Sequence, residues 1–345
     1  MYNTGEMPNA PVAYPRSPTT SEITAAIDLR GKMLAAALVD REGRVIHSVH
    51  KEVDSTAPRA VASVMTGMIL AIATAGKRGN SYISAIGVSV PEKLINPAPI
   101  GELIERELTK QGVDIRRAPG MRHARATNKP SPHPDIVVSS RRVAAVAGET
   151  WCGAARGAEN AVVMTLGEKI DAGLLVEGRV VRGRSALAGA VGWLTLAERY
   201  RSEFSAIGCL NVEAGRQSLT RRAVEAWQGN NESLLARLHA TDLNPPTIIR
   251  AARAGDTIAL TAVLDICEWI GRAIASLIST LNPEVVVVRG DLARDLRPFL
   301  PEIRKSARRW AFPQAMKDCR IVPSFLGPHG PLIGAARLAQ LSKQE

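Results

Sequence analysis

From Ile136 to Leu174 the chain reads IVVSSRRVAAVAGETWCGAARGAENAVVMTLGEKIDAGL. A short apolar run leads straight into an Ala-rich helical pattern. A second apolar run, a Gly-flanked polar turn and a third run come next. The order predicts strand, helix, strand, turn, strand. A β-α-β-β unit of this kind belongs to an α/β architecture. Here it stands at the junction of two lobes, one on its N-terminal side and one on its C-terminal side.

The 345 residues allow two domains with sizeable cores. Aromatics are only 4% of the chain, so those cores must be built from Ala, Val, Leu and Ile, which suits buried strands and close-packed helices. Cys152, Cys209, Cys267 and Cys319 are far apart and lack metal-ligand spacing. They read as reduced thiols of a cytoplasmic protein. The opening MYNTGEMPNAPVAYPRSPTTSE is Pro-rich without an apolar run, unlike a signal peptide, and reads as a disordered tail. The most apolar helix candidate, Thr257 to Leu281, carries Asp265, Glu268 and Arg272 and is expected to be a buried helix, so no membrane span is expected. The net charge is +11, and between residues 116 and 142 seven basic residues stand against one acid. With no interleaved aromatics and no helix-turn-helix pattern, this run reads as a solvated basic loop, and nucleic acid is not an expected partner.

Along the chain, Ile23–Leu29 and Met33–Val39 flank a turn at Arg30 to Lys32, and a third strand begins after Gly43. A helix from Ala57, the strand ISAIGVSVP and the helix IGELIERELTKQG complete a β-β-β-α-β-α lobe. The expected organisation is a tail over 1–22, an N-terminal α/β lobe over 23–115 and a basic Pro-rich linker over 116–134. A larger C-terminal α/β lobe covers 135–328. A terminal helix in 329–345 returns to the first lobe. The second lobe is expected to open at Asp135, with a helix over Arg142 to Gly157 and another over Val212 to Trp227.

Several segments, in order, carry a family likeness: AAVAGETWCGAARGAENAVVMTLG, VEGRVVRG, ALAGAVGWLTL, IGCLNVEAG, LNPEVVVVRGDLA and GPHGPLIGAARLA. Together they resemble the ROK family (repressors, open reading frames and sugar kinases) over nearly everything from Ile23 onward. The resemblance implies the two-lobed actin-like, ribonuclease-H-like ATPase fold with an interlobe cleft. It also implies homo-oligomers.

The chemistry of that family departs here position by position. Its first phosphate loop, DxGGT, corresponds to Asp28-Leu29-Arg30-Gly31-Lys32, where Arg30 replaces a Gly and Lys32 the Thr. Its catalytic base, the Asp of an Asn-Asp pair, corresponds to Arg141, preceded by Ser140. An arginine cannot accept a proton from a sugar hydroxyl at neutral pH. The second phosphate loop, GTGxGAG, is Gly167-Glu168-Lys169-Ile170-Asp171-Ala172-Gly173. The sugar and zinc segment GExGH is Gly189-Ala190-Val191-Gly192-Trp193, without carboxylate or histidine. The zinc loop CxCGxxGC is SEFSAIGC, where Ser202 and Phe204 take two cysteine positions and only Cys209 remains. The family's next sugar ligand, a Glu, is Asn211 here. The adenine-side turn keeps Gly290 alone, in Arg289-Gly290-Asp291.

The sugar-site positions are thus Ser140, Ala190, Trp193 and Asn211. The reading this supports is a pseudokinase acting by ligand or partner binding, with no cofactor and no zinc. Arg30, Lys32, Arg141 and Lys169 would line the cleft and receive an anionic small molecule, a sugar or an acidic protein segment. One alternative is a divergent, glucokinase-like ATP-dependent sugar kinase using Mg²⁺, with Asp28, Glu168 or Asp171 as base or metal ligand. The other is a transcription-linked regulator without its own helix-turn-helix.

Overall fold

The computed structural model describes residues 21–55, 57–77, 81–91, 94, 100–111, 134–227, 233–237 and 242–342. The expected tail up to residue 20 and the basic loop of 116–133 lie outside them.

The first lobe is built from β1 (Ser21–Arg30), β2 (Met33–Val39), β3 (Val45–Glu52), α1 (Pro58–Lys77), β4 (Ser81–Val90), α2 (Ile100–Lys110) and β5 (Asp135–Ser140). Its sheet has the order β3-β2-β1-β4-β5. The first three strands are antiparallel, and β4 and β5 run parallel to β1. Gly31 and Lys32 make a two-residue hairpin turn, and Gly31 takes the positive φ (60°) that such turns demand. Among the described residues α1 alone is long and apolar enough by composition to cross a membrane. Its Val61, Met65, Ile69 and Ile72 are instead buried in the core of this lobe.

Next come α3 (Arg141–Cys152), β6 (Ala161–Leu166), β7 (Ile170–Val176), β8 (Arg179–Val180), α4 (Glu203–Ile207), α5 (Cys209–Ala214), α6 (Arg216–Trp227), α7 (Pro245–Arg253) and α8 (Thr257–Leu281). The chain closes with β9 (Val285–Arg289), α9 (Asp291–Asp295), α10 (Leu300–Trp310), α11 (Pro313–Asp318), β10 (Arg320–Pro323) and α12 (Gly330–Leu341). The second sheet has the order β10-β9-β6-β7-β8. Taken from its antiparallel end, this repeats the strand order of the first sheet. Most of its core lies around α8, whose Ile266, Ile270, Ile274 and Ile278 are fully buried.

Three expectations need correction. The strand from Asp135 pairs with β4 and completes the first sheet, so the second lobe does not begin there. The helix expected over 142–157 ends at Cys152, where Gly153 takes an extended conformation and the Glu149 carboxylate accepts the amide of Ala154. The helix expected over Val212 to Trp227 is divided between α5 and α6 at Gly215.

The pair α3 and α12 lies between the sheets. Helix α3 faces β6 and β7, and α12 faces β1 and β4. Their backbones touch: a Cβ on Gly334 would lie 1.7 Å from the carbonyl oxygen of Ala144, and one on Gly148 would lie 2.4 Å from that of Gly330. The small-residue composition of GPLIGAARLAQL is the sequence trace of this crossing.

Candidate functional site

In open α/β sheets ligands collect outside the carboxyl ends of parallel strands. The phosphate-loop, base and nucleotide-side candidates gather at such ends: Asp28 and Arg30 on β1, Arg141 directly after β5, the 167–169 turn after β6, and Arg289 at the end of β9. Register aligns them further. Asp28 pairs with Ser89, which pairs with Ser139, and Asp171 pairs with Thr165, which pairs with Arg289.

At the centre is an ion pair. Arg141 donates from Nε to Asp28 Oδ1 at 2.9 Å and from Nη2 to Oδ2 at 3.2 Å. Ser89 Oγ donates to the same Oδ1 at 2.8 Å. The Asp28 side chain is only 6% exposed. A two-pronged guanidinium–carboxylate contact fixes both groups in plane. Ser140 is spent locally as the N-cap of α3, accepting the amide of Val143. Arg142, buried, donates to the carbonyls of Ala186 and Leu187 and ties α3 to the 181–190 loop.

A second pair crosses the lobes at the rim. Arg30 Nη2 lies 2.8 Å from Asp291 Oδ2 at the start of α9, and both side chains are well exposed. Beneath it Arg289 is buried, donating to Thr165 Oγ1 at 3.3 Å and to the carbonyl of Gly327 at 3.4 Å, with Nε unpartnered among the described residues. Burial and the neighbouring Arg141 push this guanidinium below its ordinary range, against the pull of Asp28, Glu149 and Asp171. Gly290 adopts φ 101°, and a Cβ there would meet the Leu166 carbonyl at 2.3 Å. It is retained for packing onto β6.

The 167–169 turn points outward. Glu168 and Lys169 are exposed, and Glu168 accepts from Gln217 at 3.3 Å. Lys32 is likewise exposed. Gly173 also keeps a packing role, since a Cβ would lie 2.3 Å from the Arg142 carbonyl. Asn211 is buried beneath the turn: its Oδ1 accepts the Ile170 amide at 2.6 Å and its Nδ2 donates to the Ile207 carbonyl at 2.6 Å. Both ends of the amide are therefore committed. Ala190 is exposed and so is Trp193, at 52%. The structure brings together Asp28, Arg141 and Arg289, with Asp171 in register. The sugar-site positions Ser140 and Asn211 are turned to capping and bracing.

Sequence reasoning missed Ser89 and Asp291 as partners of Asp28 and Arg30. The signal for Ser89 was present, as the polar residue within IGVSV at the end of a buried strand. Asp291 had none, because its partner lies 261 positions away.

The sequence model of the ROK family matches residues 24–342. The chain belongs to the ROK family. It is 26% identical to a glucokinase of Streptomyces coelicolor over 92% of this chain and 98% of that enzyme. A ROK glucokinase from Streptomyces griseus, solved with glucose and AMPPNP, superposes with a TM-score of 0.70 at 22% identity, covering 92% of this chain and 99% of the other. A ROK transcriptional regulator, a homologue of the E. coli MLC protein, gives 0.75 at 20% identity over 93% and 78%. The fold is thus that of the ROK sugar kinases, the two-lobed actin-like ATPase fold.

The positions of the family's zinc loop and nucleotide side carry other contacts in this ROK chain. Where the family has a cysteine-ligated zinc loop, Phe204, Cys209 and Val212 form a small apolar cluster. Arg201 stacks over the Phe204 ring at 4.8 Å and Tyr200 meets it edge-on at 6.2 Å. Side chains pack on one another here, and no group of three or more potential metal ligands occurs among the described residues. On the nucleotide side, Asp28 is already paired, Arg30 is held by Asp291, and Arg289 fills the turn where the family has glycine. Of the four cations expected to line the cleft, Arg30 and Arg141 each face a carboxylate, while Lys32 and Lys169 stand exposed.

Proposed function

We propose that this ROK protein is a pseudokinase, a sugar-kinase-like fold that binds through its cleft and transfers no phosphate. The observation that carries the reading is Arg141 in two-pronged contact with Asp28. A base must accept the sugar's proton as the oxygen attacks phosphorus. At the base position stands a permanent cation, and the buried carboxylate of Asp28 beside it is engaged by that cation. Two of its arginines, Arg30 and Arg141, each face a carboxylate from within the fold. Paired walls of this kind suit a neutral polyol of the sugar class better than a free dianion. The protein works in the cytoplasm as a homo-oligomer without ATP, Mg²⁺ or zinc.

Purified protein incubated with ATP, Mg²⁺ and a panel of hexoses tests the reading. ADP release at background with every sugar is expected. Sugar-dependent ADP release above background sinks it.

A further inference from the structure

The second sheet ends at β10, and its outer edge is met by α10. Arg304 of α10 turns its guanidinium onto that edge, where Nε and Nη2 donate to the Ile321 carbonyl at 2.9 and 2.7 Å. The backbone of Arg320 bonds inward to Glu284, so Ile321, one residue on, faces outward. The contact covers an open sheet edge, which accounts for Arg304 by itself. It also fixes the guanidinium and leaves Nη1 without a partner among the described residues.

Beside it lies a groove of about 290 Å³, whose lining includes Arg304, Arg308, Arg320, Met316, Cys319 and Val322. The exposed side chains of Arg308 and Arg320 make no hydrogen bond or ion pair with described residues, and edge protection does not require them. No carboxylate lines the groove. Burial pushes the Cys319 thiol up to about 11, so at neutral pH it adds no negative charge. Three guanidiniums therefore share one small concavity with an apolar wall and no counter-charge. The groove opens on the outer edge of the sheet, apart from the carboxyl ends that form the cleft.

We propose that this groove is a binding site for a small phosphomonoester, held by the forks of Arg304, Arg308 and Arg320, with its carbon body against Met316 and Val322. Planar guanidiniums match phosphate oxygens two at a time, which ammonium groups do not. The volume falls at the lower limit of small-molecule pockets, roughly 300–1,000 Å³, and suits a compact ligand. The site does not depend on whether the cleft phosphorylates sugar.

Calorimetric titration of the full chain at low salt, with glycerol 3-phosphate and with inorganic phosphate, tests it. Saturable one-to-one binding is expected, tighter for the phosphomonoester. Arg308→Glu/Arg320→Glu weakens it at least tenfold. The control Arg59→Glu/Arg253→Glu reverses the same charge elsewhere and leaves binding intact. Should the first variant melt early by circular dichroism, Arg308→Gln/Arg320→Gln takes its place. Absence of saturable binding, inorganic phosphate binding as tightly as the ester, or equal weakening in the control overturns the proposal.

Discussion

Arg141 is the residue on which the cleft turns. Its partner Asp28 is almost fully buried, so removing the cation strands a carboxylate that Ser89 alone cannot compensate. Arg141→Ala is expected to cost about 3 kcal/mol in urea denaturation, the lower end for breaking a buried pair. The double variant Asp28→Asn/Arg141→Met recovers most of it, since replacing both charges removes the desolvation penalty together with the attraction. Phosphotransfer stays at background in both. The cysteines give a second residue-scale test. Burial pushes Cys267 up to about 12 and Cys319 to about 11, so both are protonated at pH 8, whereas Cys152 is only half-buried. Mass spectrometry after brief alkylation of native protein should find Cys152 modified first and Cys267 and Cys319 protected. The substitution at the base position was legible in the sequence, because Arg141 excludes proton abstraction wherever it points. Its engagement with Asp28 was not, because the two lie 113 positions apart.

At the scale of elements, the α3–α12 crossing is the tightest joint in the molecule. Gly334→Ala places a methyl 1.7 Å from the Ala144 carbonyl, and two backbones must separate to admit it. Overpacking commonly costs 1–3 kcal/mol, and a backbone clash of this depth should exceed ~3 kcal/mol or abolish soluble expression. The start of α8 is set by Asp256, which accepts the amides of Ala259 and Leu234 and the hydroxyl of Ser233. Burial alone would raise its pKa, yet these hydrogen bonds outweigh burial and leave it below the ordinary 3.8. A depressed folded pKa means stability that is fully present above the unfolded value and lost as pH falls through the folded one. Asp256→Ala is expected to cost about 1–2 kcal/mol at pH 7. The gap from wild type should close as denaturation is repeated at progressively lower pH below 3.8. Caps such as Asp256 and the alternation of β1 and β2 can be read locally. The breaks at Gly208 and Gly215 could not, because they answer to packing: a Cβ on Gly208 would strike the Gly192 carbonyl at 2.5 Å.

For the whole molecule, two sheets of equal strand order are joined by α3, α12 and the Arg30–Asp291 pair, whereas Arg141–Asp28 ties the end of β5 to β1 within the first sheet. The pairs differ in kind. Arg30–Asp291 is exposed and should contribute less than ~1 kcal/mol, falling further with salt. Arg141–Asp28 is shielded and should hold at high ionic strength. Small-angle scattering of Arg30→Ala is therefore expected to give the radius of gyration of wild type, with α3 and α12 holding the lobes. A larger radius would mean that the Arg30–Asp291 pair is needed to close them.

The sequence by itself determined the family and the two α/β lobes, and it put an arginine, Arg141, where the family likeness implies a catalytic base. Those follow from local patterning and from what an arginine side chain can do in any setting. Only the tertiary structure decided that β5 completes the first sheet, since strand pairing depends on partners remote in the chain. It also decided that Gly173 and Gly290 are kept for close backbone approach, and that Arg30 and Arg141 are neutralised from within. Charge balance in a cleft is set by which carboxylates fold up against which cations, and those pairings join residues more than a hundred positions apart.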